Sequence, residues 1–128
     1  MKPERARLLR TIRERDLAEA LDRLHRAGEE ARDLRARVED LSARIASLRE
    51  AAGGERSAGA ALNAAILESA SLARDLAKER IARYEKDRRE ISVELEGAVA
   101  RRDAAAEEAG NARRALANLD GVLRDLPE

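Results

Sequence analysis

The chain has no cysteine, tryptophan or phenylalanine, one tyrosine (Tyr84) and one histidine (His25). Without cysteine there is no disulfide framework and no thiolate for a zinc site. A single imidazole, beside Leu21 and Leu24, reads as a flank residue of a helix rather than a metal ligand or a catalytic base. With almost no aromatics, leucine, isoleucine and the 28 alanines must supply the core. Proline occurs only at Pro3 and Pro127. No apolar run reaches the ~20 residues that span a bilayer. Neither sign of charge dominates, with 26 basic and 26 acidic residues. No extended basic stripe is present, which argues against nucleic acid as the primary partner. The segment MKPERARLLRTIRERD is basic but lacks the apolar centre of a signal peptide. The expectation is a cytoplasmic protein with no stable membrane insertion.

What remains is alanine, glutamate, arginine and leucine, with 41% of residues charged. That is the composition of long helices and coiled coils. Balanced charge and regularly recurring apolar residues argue against disorder, and 128 residues suffice for one domain.

The strongest pattern is a heptad seam. Leu17, Ala20, Leu24, Ala27, Ala31, Leu34, Val38, Leu41, Ile45 and Leu48 follow one another in steps of three and four. Acid-before-base pairs four residues apart line it: Glu19/Arg23, Asp22/Arg26, Asp33/Arg37 and Asp40/Arg44. They mark a solvated helical surface. Before Leu17 the pattern loosens. Arg10 and Arg13 stand where the seam would continue, and Leu8, Leu9 and Ile12 lie off its line. The first fifteen residues carry six basic and two acidic groups. They read as helical, either a frayed end or a small docking patch with Arg7, Arg10 and Arg13 as candidate partner-binding residues.

A second seam comprises Tyr84, Ile91, Leu95, Ala98, Ala105, Ala109, Ala112, Leu116, Leu119, Leu123 and Leu126, with Arg88 and Arg102 at seam positions inside it. Upstream, Ile66, Ala70, Ala73, Ala77 and Ile81 continue a helical face. The two arginines are expected to snorkel past a thin core or to set the register. Tyr84 is a core filler if it packs across the pair and an interface anchor if it is exposed. Between the seams, EAAGGERSAGAALN holds Gly53, Gly54 and Gly59, with Ser57 a candidate N-cap. Neither seam can be buried by its own helix, so this stretch is read as a chain reversal. The predicted fold is all-α: two long helices forming an antiparallel coiled-coil hairpin, with helix 4–50, tip loop 51–60 and a longer helix 61–126. A flexible joint between helices that pair only with other chains is the rival.

Helix arithmetic adds an expectation. At ~1.5 Å per residue the second helix outruns the first. Residues 108–126 would project unpaired, with Leu116, Leu119 and Leu123 forming an apolar stripe that needs a partner. No catalytic, cofactor or metal site is expected. Glu29/Glu30 and Glu107/Glu108 read as surface charge, because acid–base chemistry needs a sheltered pocket. Gly53-Gly54 lacks the spacing and the following Lys-Ser/Thr of a phosphate loop.

Two segments, RARLLRTIRERDLAEAL at 5–21 and LAKERIARYEKDRREISVELEGAVARRD at 76–103, carry a resemblance. With a basic helical start, a Gly/Ser tip and a longer second helix, the chain resembles the FliJ family of flagellar type III export proteins. The likeness covers nearly the whole chain, through generic heptads. It implies a non-enzymatic, cytoplasmic coiled coil at the centre of a hexameric export ATPase, like the central stalk of a rotary ATPase. It also implies contact with the export gate of a membrane-embedded export complex and escort of late-substrate chaperones. The chain lacks the glutamines and aromatics common in better-known members. The alternative is a coiled-coil adaptor or scaffold, homodimeric through its apolar stripe.

Overall fold

The computed structural model describes residues 2–58 and 64–125. Two α-helices make up the described chain: α1, Pro3–Ala58, with 56 residues, and α2, Ala64–Asp125, with 62. Pro3 opens α1, where its missing N–H costs nothing and its fixed φ suits a first turn. Glu4 follows in that turn and complements the positive end of the helix dipole. The two helices pack against each other and run antiparallel.

Contacts divide the chain into two compact units: Met1–Arg32 with Glu96–Glu128, and Asp33–Leu95. In the first, Arg10 bonds Asp120 at 2.8 Å, Arg23 pairs with Glu108 at 3.4 Å and Glu30 with Arg101 at 2.8 Å. Numbers rise along α1 as they fall along α2, which fixes the antiparallel sense. Its core is mostly alanine: Ala6, Ala20, Ala31, Ala98, Ala105 and Ala109 are buried, together with Leu119. In the second unit Ser42 meets Arg88 at 3.3 Å and Arg49 meets Glu85 at 2.5 Å, again antiparallel. Here Leu34 and Ile45 are buried, and Ile45 is the largest fully buried side chain.

All ten positions of the first predicted seam, Leu17 to Leu48, are buried or half-buried. So are the described positions of the second, from Tyr84 to Leu123, with Arg88 and Arg102 half-buried among them. Leu126 lies outside the described residues. The inner face of α1 also continues further back than the pattern suggested, through half-buried Leu9 to buried Ala6. Of the predicted flank pairs, Asp22/Arg26 and Asp40/Arg44 form, whereas Glu19 lies against Arg15 and Arg23 reaches across to Glu108.

Two sequence expectations are corrected. Residues 51–58, read as part of the tip, are helical and belong to α1; 59 and 60, like 61–63 of the expected second helix, lie outside the described residues. A helical glycine costs only about 1 kcal/mol, and Ala51, Ala52, Glu55, Arg56 and Ala58 are good formers around Gly53 and Gly54. No described glycine has a positive φ. The projecting 108–126 segment is not there: Glu108 and Asp120 pair with α1, and Ala109 and Leu119 are buried. The arithmetic failed because it reversed the chain within 51–60, too early for the observed pairing. The register set by Ser42 and Arg88 brings Leu72 level with Ala58. It is the first turns of α2 that begin past the last residue of α1, and residues 64–69 are exposed throughout.

Candidate partner-binding surface

The seven residues singled out from the sequence fall into three groups. Leu116 and Leu123 are half-buried and Leu119 is 7% exposed, so this stripe packs against α1 inside the first unit. The reason for expecting a partner there, an apolar stripe facing water, is gone. Arg7, Arg10 and Arg13 are exposed near the start of α1. Arg10 is engaged by Asp120 and, at 3.5 Å, by Glu14. Its pKa lies above the ordinary arginine value, first through the hydrogen bond to Asp120, then through that carboxylate's charge and that of Glu14. The guanidiniums of Arg7 and Arg13 have no ion pair or side-chain hydrogen bond among the described residues.

Tyr84 is half-buried in the second unit. The Arg44 guanidinium carbon stands 5.9 Å from its ring centroid, within cation–π range. The Tyr84 hydroxyl, and then the charge of Asp40 at 3.0 Å, raise the Arg44 pKa above the usual arginine value. A groove lined by Ala43, Arg44, Ser47, Leu48, Arg80 and Tyr84 opens beside the ring. Tyr84 therefore acts as a wall between core and surface. Arg88 directs its Nη1 to Ser42 Oγ, so this seam arginine finds its acceptor on the facing helix.

Sequence reasoning missed the larger apolar exposures. Leu72 is 64% exposed and Leu76 54%. They lie one turn apart on α2, offset from Ala77 and Ile81, which line a groove together with Arg49, Ala52 and Gly53 of α1. Ile66 and Leu67 are each 44% exposed on the preceding turns. Leu72 and Leu76 thus meet solvent on the outer face of α2, while Ile66 and Leu67 lie on the line of its inner face in the exposed first turns. The four-residue spacing of Leu72 and Leu76 is the sequence signal for this pair. In the first unit Leu8, Ile12 and Val122 are exposed as well.

Asp40, Asp87, Glu90 and Glu94 share an open groove with Arg37 and Arg44. Among the described residues there is no cluster of three or more metal-ligating side chains. His25 faces Glu29 at 3.2 Å on an exposed surface. Glu29, Glu30, Glu107 and Glu108 are all exposed. No helix of the described residues is long and apolar enough to cross a membrane. No family model matches the chain, and neither a curated protein nor a solved structure matches it.

Proposed function

We propose that the chain is a non-enzymatic protein-binding hairpin and, in its narrower form, a cytoplasmic component of the flagellar export apparatus that binds the export ATPase ring and the export gate. The observation that carries the broad reading is the pair Leu72 and Leu76, one turn apart on the outer face of α2 and 64% and 54% exposed. The helices use their other faces for each other, yet this one keeps two leucines largely in water. Adjacent exposed leucines on one helix face support a protein-binding surface. The absence of catalysis is part of the proposal, and the solvated carboxylates support it. The narrower form rests on the segment-level likeness at 5–21 and 76–103.

Leu72 and Leu76 also favour a second reading, a homodimeric scaffold in which two copies cover each other's stripe. One experiment separates them. The full chain is mixed with the purified export ATPase and the gate's cytoplasmic domain from the same organism, and complex mass is followed by light scattering. Co-elution that is lost in Leu72→Glu/Leu76→Glu supports the narrower form. No complex with either protein, together with a dimer that the same variant converts to monomer, overturns it in favour of the scaffold. A chain that stays monomeric and unbound overturns both.

A further inference from the structure

Although the chain is electrically neutral as a whole, one end of the first unit is not. Residues 2–15 hold six basic and two acidic groups, and residues 115–125, which face them, hold one basic and two acidic. Arg10 is paired with Asp120 there, but the guanidiniums of Arg5, Arg7 and Arg13 have no carboxylate partner among the described residues.

The same ion pair locates the apolar exposures. Two residues along an α-helix is rather more than half a turn. Leu8 and Ile12, two residues either side of Arg10, therefore lie on the far flank of α1 from it. Val122, two residues after Asp120, lies on the far flank of α2. Because the helices are antiparallel, Leu8 and Val122 are also at the same height. Their exposures are 63% for Leu8, 39% for Ile12 and 48% for Val122. Arg5 extends the stripe, since Arg5, Leu8 and Ile12 follow at helical spacing. The result is a shallow strip with aliphatic side chains from both helices and an unpaired arginine along it, inside a positive field.

We propose that this flank is a docking surface for an acidic amphipathic helix, which lies along the strip as a third helix. The inference rests on the broad protein-binding reading and not on the flagellar assignment. Charge complementarity selects the occupant. A second copy would bring two positive ends together, which disfavours self-association through this face. Nucleic acid would use the arginines but not three aliphatics, and no aromatic of this unit offers a stacking platform. A lipid surface needs a wider apolar face than these three side chains supply. A partner helix with leucines at i, i+3/i+4 and i+7 and glutamates around them matches both features.

The test is calorimetric titration of the full chain with a synthetic acidic amphipathic peptide of about three heptads. A scrambled peptide of the same composition, anionic phosphatidylglycerol vesicles and duplex DNA serve as comparators. The expected result is saturable binding of the amphipathic peptide alone. Leu8→Glu/Val122→Glu should weaken it at least about tenfold, as loss of apolar anchors does. Arg5→Glu should weaken it and flatten its salt dependence. Both sites are exposed, so circular dichroism should show unchanged helicity. Equal binding of the scrambled peptide, binding of vesicles or DNA instead of peptide, or indifference to Leu8→Glu/Val122→Glu overturns the proposal. If the peptide fails to bind while Leu72→Glu/Leu76→Glu still abolishes a protein complex, the broad reading stands and this surface is dismissed.

Discussion

At the scale of single residues, burial decides what matters. Ile45 is 1% exposed and Leu41, one turn before it, is half-buried, while Arg44 between them stands in solvent. Ile45→Ala removes a fully buried side chain and should cost about 2–4 kcal/mol. Leu41→Ala should cost roughly half of that, and Arg44→Ala should leave stability almost unchanged, as exposed ion pairs contribute little. Urea unfolding midpoints rank the three; equal losses would mean that α1 is rotated from this description. The raised pKa of Arg44 works in the direction of stability. Its contribution is fully present below the unfolded value and is lost only as pH rises through the higher folded one. That range lies above ordinary arginine titration, so the Tyr84–Arg44–Asp40 contact does not act as a switch near neutrality.

The elements show how far sequence pattern reaches. The period-seven recurrence placed its ten positions from Leu17 to Leu48 on the inner face of α1, because apolar spacing is dictated by helix geometry and needs no knowledge of the partner. The same logic placed Arg88 on the inner face but could not supply Ser42, an acceptor 46 positions away. It failed at Gly53, where two states compete within about 1 kcal/mol per glycine and the surrounding alanines decide. That gives a test with opposite signs. An added Cβ at Gly53 meets nothing within 4 Å, and its φ is not positive. Gly53→Ala should therefore stabilise the chain by about 0.5–1 kcal/mol, seen as a higher thermal midpoint. A turn glycine at this site would give a loss instead.

For the molecule as a whole, antiparallel pairing was legible and its register was not. Both predicted helices had seams, and a seam fixes which face is buried but not how far one helix slides along the other. That single missing quantity moved Leu116, Leu119 and Leu123 from a supposed docking stripe to an internal core. It also hid the exposed start of α2. The chain has no native cysteine, so paired labels can be introduced cleanly. Spin labels at Arg23 and Glu108, 3.4 Å apart as an ion pair, should report a separation on the order of 20 Å or less, given packed helix axes 8–10 Å apart. The signal should survive dilution with unlabelled chain. A loss on dilution would mean that the pairing is between chains.

The cross-helix ion pairs also carry information about mistakes. Heptad cores are nearly blind to a shift of seven residues, since seam meets seam again. Charges are not. Slide α2 so that each α1 residue meets the position seven earlier. Arg10 then faces Arg113 instead of Asp120, and Arg23 faces Arg101 instead of Glu108. Glu30 faces Glu94 instead of Arg101, and Arg49 faces Lys78 instead of Glu85. Four attractions become four repulsions in one step. Each exposed pair adds little to the stability of the correct alignment. Their weight lies in the gap between it and its nearest impostor, so the surface charges serve as a proofreading code written over a repetitive core.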